Sequence, residues 1–196
     1  MSRAGGGSVG VSGLGDHGCG TIRRTRFYSM GSVEQQEKSG AHGDHVTDIF
    51  ESQGLETRCV SNLFAEQVAE SYSYRLAEKH LEQGRVLVVA GGSGRPYVTH
   101  DTAAVMMALE LDCQLTLKAS KVDGVYDKDP AIYKDAVKID EMSLQDAIEN
   151  KAVKVMDRAA LGLAAEHNVK VIVFDMMQPD NLEKIVKGEK IGTKIS

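Results

Sequence analysis

The chain has 196 residues, 42% of them hydrophobic and 26% charged, with a formal net charge of -5 at pH 7. That length and composition suit one sizeable core, or one domain with a tail. The acidic balance and the absence of Trp argue against a nucleic-acid surface, and no apolar run approaches the roughly 20 residues that cross a bilayer.

Residues 1–44 are rich in Gly and Ser and show no apolar periodicity, so they read as a disordered leader. Arg3, Arg23, Arg24 and Arg26 punctuate a stretch almost free of acids before Glu34. Such a composition looks like an organelle transit peptide, and Arg26-Phe27-Tyr28-Ser29 resembles a mitochondrial processing site. The expected location is the mitochondrial matrix or a plastid, with the cytoplasm as the alternative. Gly13, Gly15 and Gly18 spell G-x-G-x-x-G, but no strand pattern precedes them and no helix pattern follows, so a dinucleotide fingerprint is excluded.

From residue 45 the pattern alternates between helix and strand. Residues 46–53 read as the end of a helix stopped by Gly54, and 55–60 as a short strand. Phe64, Val68, Tyr72 and Leu76 recur at helical spacing until Gly84. Strand 85–90, helix 101–111 and strand 113–118 follow, then a short strand at 137–139. Ser143 is placed to cap a helix over 143–150, and a further helix covers 157–167. Residues 169–174 are apolar almost throughout, as a strand buried on both faces demands. A last helix over 181–187 ends at Gly188, and 191–195 reads as a final strand or extended tail. The alternation predicts an α/β fold with a mostly parallel sheet covered by helices on both faces.

Three segments are candidates for chemistry. In VLVVAGGSGRPYVTHD, residues 86–101, a strand runs into a Gly-Gly loop and then a helix start. Such a loop gathers backbone N–H groups and a helix N-terminus around one anion site. It is not a Walker A loop, since no Gly-Lys-Ser/Thr follows, and Asp101 is placed to cap the helix. The segment from Lys118 to Pro130, KASKVDGVYDKDP, follows a strand and carries an Asp123-Gly124 turn. Its place at the carboxyl end of a parallel strand favours a ligand role over a plain hairpin. In Lys154-Val155-Met156-Asp157, the aspartate reads as a helix N-cap or as a site carboxylate. The three cysteines, Cys19, Cys59 and Cys113, are widely spaced and read as free thiols of a reducing compartment. The six histidines show no metal-ligand grouping.

Together with NVKVIVFDMMQPDNL and GEKIGT, these segments resemble the bacterial-type uridylate (UMP) kinases of the amino acid kinase superfamily, from about Val46 to Thr193. The resemblance implies a three-layer α-β-α sandwich with the amino-terminal portion missing, so that 45–196 form a partial kinase domain. It implies transfer of the γ-phosphoryl of ATP, with Mg²⁺, to UMP. Ser93, Gly94, Arg95, Pro96, Tyr97, Val98, Thr99 and His100 match the monophosphate loop, and Ser120, Tyr126 and Asp129 match the ATP segment. Asp157 matches the aspartate that orients the basic groups around the transferring phosphoryl. The expected partners are the two nucleotides and either further copies of the chain or a covering protein, with no nucleic acid and no membrane span. Before residue 45 no K-x-S-G-E run follows a strand pattern, and Arg95, Tyr97, Val98 and His100 depart from the family's loop. Two readings therefore stand: a UMP kinase, or a catalytically inactive kinase-fold subunit with a structural role in an organellar assembly.

Overall fold

The computed structural model describes residues 8–12, 26–30, 46–64, 67, 69–113, 115–150, 153 and 155–196. Nine strands form the main sheet: β1 Ser8–Ser12, β2 Arg26–Met30, β3 Thr57–Ser61, β4 Glu70–Ser71, β5 Val86–Ala90, β6 Leu115–Ser120, β9 Glu141–Met142, β10 Lys170–Asp175 and β11 Thr193–Ile195. Their spatial order is β4-β3-β5-β2-β1-β6-β10-β11-β9. A separate two-stranded ribbon pairs β7 Val125–Tyr126 with β8 Lys138–Ile139. The described helical residues are 46–52 (α1), Tyr74–Glu82 (α2), His100–Glu110 (α3), Leu144–Glu149 (α4), Arg158–His167 (α5) and Asn181–Val186 (α6).

Strand directions follow from the pairings. β3, β5 and β2 run parallel, and β1 is antiparallel to both β2 and β6. β6 therefore runs the same way as β5, and β10 is parallel to β6. The carboxyl ends of β3, β5, β6 and β10 all lie along one edge of the sheet, which is where ligands of open α/β sheets bind.

Alternation along the strands builds the layers. Leu87 and Val89 of β5 pack with α2 and α3 residues, while Val88 and Ala90 face Val46 and Phe50 of α1. Val171 and Val173 of β10 join Ala160, Leu161 and Ala164 of α5, while Ile172 and Phe174 join Ile185 of α6. Helices thus cover both faces, and the sandwich expected from the sequence is present. Leu87, Val89, Val171 and Val173 are fully buried. Each such side chain contributes about 1.5–3 kcal/mol.

Two expectations are corrected. The span 1–44 is not wholly disordered, because Ser8–Ser12 and Arg26–Met30 are strands. Ser8 pairs with Lys118 and Val11 with Leu115 on one side, and Val11 pairs with Phe27 on the other. A strand flanked on both sides has its backbone groups satisfied by its neighbours. It can therefore form in a Gly- and Ser-rich stretch with no helical periodicity. The rest of 1–44, including Gly13, Gly15, Gly18 and Cys19, lies outside the described residues. The second correction concerns the helix expected to run on from Phe64. Phe64 is 87% exposed, and α2 begins only at Tyr74. Glu70 pairs with Val60, Tyr72 N–H donates to the Ser61 carbonyl at 2.8 Å, and the Ser73 side chain caps α2 by accepting from Leu76 N–H. An edge pairing and a cap override the apolar spacing.

Because β1 joins the two halves of the sheet, a proline in it is expected to be far more damaging than one in a tail. Gly10→Pro should sharply lower the urea midpoint or abolish cooperative unfolding. An unchanged midpoint would place this strand outside the sheet.

Candidate active site

β5 ends in Ala90, and Gly91 and Gly92 turn the chain across the sheet edge. The turn is pinned by its neighbour strand. Asn62, just past β3, donates its side-chain amide to the Gly92 carbonyl at 2.6 Å. Gly94 sits at φ +66°, where a Cβ would stand 2.7 Å from the Asn62 carbonyl oxygen, so only glycine allows this approach. Ser93 accepts from the Arg95 N–H at 3.2 Å. Arg95, Pro96 and Tyr97 are exposed, while Val98 packs back on the core.

Thr99 closes the loop and opens α3. Its hydroxyl accepts from Thr102 N–H at 3.2 Å, making Thr99 the N-cap, a role the sequence reading gave to Asp101. The same hydroxyl donates to Asp157, and the Thr102 hydroxyl reaches both Asp157 oxygens at 3.1 Å. Asp157 also caps α5, accepting from Ala159 N–H at 2.8 Å and Ala160 N–H at 3.0 Å. Of the two roles weighed for it, the helix cap is filled, and the same carboxylate ties the start of α3 to that of α5. The first and third motifs meet at one carboxylate. Burial alone would push that carboxyl up. The hydrogen bonds from Thr99, Ala160 N–H, Thr102 and Ala159 N–H outweigh burial and hold it below its ordinary value. Lys154 lies outside the described residues.

Asp101 does something else. In the first turn of α3 it forms an ion pair with Lys118 of β6, and the two side chains are only 15% and 12% exposed. The sequence reading missed this pair. The signal was present: Thr116 and Lys118 put polar groups on one face of a strand that is otherwise apolar up to Ser120. A lysine there is too costly without an anion beside it. The first turn of α3 is thus tied to β6 through Asp101 and to α5 through Thr102.

The ATP-segment residues occupy the next loop along the same edge. Ser120 ends β6, its carbonyl accepting from Met176 N–H at 2.9 Å after β10. Tyr126 lies on the β7–β8 ribbon and donates to Asp123 at 2.7 Å, a bond that raises its phenol above the ordinary range. Asp129 sits in the turn beyond, accepting from Ala131 N–H at 2.9 Å. The ribbon is stitched to β11 by Thr193, which accepts from Val125 N–H at 2.7 Å and donates to the Ile139 carbonyl. A Cβ on Gly124 would fall 2.5 Å from that hydroxyl, which explains the Asp-Gly pair. The hydrogen bonds of Ser120, Tyr126 and Asp129 are local. The structure sets these residues along one edge with the loop after β5 without joining them to Asp157 directly.

The arrangement brings the Lys118–Asp101 ion pair and the amino-terminal ends of α3 and α5, capped by Thr99 and Asp157, to the edge where the loop after β5 turns. Among the described residues no group of three or more metal-ligating side chains occurs, and no helix is long and apolar enough to cross a membrane.

Removing the Asp157 carboxylate should cost about 1–2 kcal/mol through the lost cap. The sign with pH follows from the depressed value. The contribution is fully present above the ordinary carboxyl value of 3.8 and is lost as pH falls through the lower folded value. Urea midpoints of the wild type and Asp157→Ala, followed from about pH 7 to about pH 3, should therefore converge in acid.

The comparisons with known proteins concern sequence and fold. The model of the amino acid kinase family matches residues 16–175. The uridylate kinase of Wolinella succinogenes is 40% identical over 187 residues, covering 94% of this chain and 74% of the relative. An alignment of that extent takes in most of residues 1–44, so the likeness begins well before Val46. The solved UMP kinase from Bacillus anthracis superposes with a TM-score of 0.77 at 31% identity, over 80% of this chain and 65% of that one. The UMP kinase from Ureaplasma parvum gives a TM-score of 0.75 at 26% identity, over 81% of this chain and 67% of that one. This chain thus spans about two thirds of either solved chain. With a matching sequence and a matching fold, the chain belongs to the amino acid kinase family and is similar to its uridylate kinases.

Proposed function

We propose that the chain transfers the γ-phosphoryl group of ATP to UMP, giving UDP. The observation that carries this reading is the junction at Asp157, where the acceptor loop and two helix starts are fixed to one another. Phosphoryl transfer asks little covalent chemistry of a protein. It asks that donor and acceptor be held in line and that the charge spreading over the transferring group be neutralised.

The roles follow from position. The loop from Ser93 to His100 takes the acceptor monophosphate, with its backbone N–H groups and the start of α3 facing the anion. Ser120, Tyr126 and Asp129 take ATP from the adjoining loop. Lys118 is the cation beside the phosphates, and Asp101 positions it. Asp157 acts through the threonines it binds and is a positioning residue. Mg²⁺ would screen the ATP phosphates. The described carboxylates form no cage for it, which suits an ion that keeps its waters and is carried by substrate phosphates.

The test is a coupled assay of UDP formation by the purified full chain with ATP, Mg²⁺ and UMP, alongside CMP as a competing acceptor. UDP should form, and Lys118→Met should lower the rate on the order of 10²–10³-fold while leaving UMP binding measurable by calorimetry. No UDP above the blank would overturn the proposal and favour an inactive kinase-fold subunit.

A further inference from the structure

We propose that Thr193 is a positioning residue for the ATP segment, its hydroxyl setting the pose of the β7–β8 ribbon on the sheet. This rests on the ATP reading given above. Thr193 is fully buried in β11 and stands 68 residues from Val125 along the chain. Val125 and Ile139 lie opposite one another in the ribbon. The Thr193 hydroxyl accepts from the Val125 N–H at 2.7 Å and donates to the Ile139 carbonyl. One buried hydroxyl thus spends both its donor and an acceptor site on the two strands of the ribbon.

Its place is fixed from the sheet side. Thr193 pairs with Val173 of β10, and a Cβ on Gly192 would fall 2.0 Å from the Val173 carbonyl oxygen. Glycine there lets the chain press against β10 just before the threonine. Beyond the bridge the ribbon bonds to itself. Asp127 N–H donates to the Val137 carbonyl at 3.1 Å, and Val137 N–H donates to the Asp127 carboxylate at 2.8 Å. Lys128 pairs with Asp135 at 2.6 Å, and Tyr126 bonds Asp123. These contacts shape the ribbon but do not set its angle to the sheet. That angle is set at the base, by the buried Val125 side chain, the Thr193 bridge and the Lys194 N–H bond to the Asp140 carbonyl. With Val125 facing the core, Tyr126 faces the other way. Asp129 lies further from the base, so a tilt there displaces it more. Fixing these two residues before ATP arrives removes an ordering cost from binding.

Thr193→Val keeps the branched shape and removes the hydroxyl, while Thr193→Ser keeps the hydroxyl. In the coupled UDP assay on the full chain, Thr193→Val should raise KM for ATP about tenfold. Its kcat and its KM for UMP should stay within twofold of the wild type. Calorimetry with a non-hydrolysable ATP analogue should show the same loss, and Thr193→Ser should restore most of it. A merely structural role would lower the melting temperature without separating the two substrates. Should Thr193→Val fail to fold, hydrogen exchange of the wild type decides. The Val125 amide should be protected about a hundredfold or more, whether or not the analogue is bound. An amide protected only when the analogue is bound would overturn the role, because the ribbon would then be set by the nucleotide. The role also falls, with the ATP reading intact, if Thr193→Val keeps its ATP KM within twofold, loses both substrates alike, or is not rescued by serine. If the wild type neither forms UDP nor gives heat with the analogue, both fall together.

Discussion

A single carboxylate holds the working end of this molecule in register. Asp157 accepts hydrogen bonds from two hydroxyls of the α3 start and two amides of the α5 start. Those amides are orphan donors in any helix, and the hydroxyls belong to a loop with little else to fix it. Without that acceptor the loop would keep its Asn62, Gly94 and Val98 anchors but lose its tie to α5. The carboxylate's charge matters as much as its shape, because hydrogen bonds to an ionised acceptor are roughly twice as strong as neutral ones. This is why burial does not push its proton affinity up.

The Asp101–Lys118 pair is the counterpart on the sheet side. A charge that is mostly withdrawn from water needs a partner, and the partner here sits on the helix that Asp157 also grips. Sheet, the loop after β5 and the second helix are thereby connected through one helical turn. Such a pair is weak as a source of stability. Its structural effect is to fix the first turn of α3 against β6.

Much of this was readable from residue order. The strands β5 and β10 announce themselves by runs of Val, Leu and Ile, β6 by alternation, and Ser143 announces the start of α4. The motif segments were also visible, since glycines and turn residues mark them. What could not be read was set by partners distant in sequence. Ser8–Ser12 is too small and polar to look like a strand alone, and it becomes one only between β2 and β6. The start of α2 was misplaced because Glu70 pairs with Val60, a tertiary contact that overrules a helical pattern. Asp101 looked like a cap until the structure put Lys118 beside it, and Thr99 took the cap instead. The arginines that suggested a targeting leader fall in a span that the family match enters at residue 16.

The placement of β1 bears on how the protein comes to be made. One of its neighbours, β2, follows closely in the chain, but the other, β6, does not exist until residue 120 has been synthesised. A strand born near the start must wait for a mate more than half a chain away, at a cost in loop closure that slows folding. The β3–β5–β2 half can pair while translation continues, leaving a bare flank beside it. The closing of that flank, and with it the alignment of the loops that follow β5 and β6, must wait for β6 to emerge.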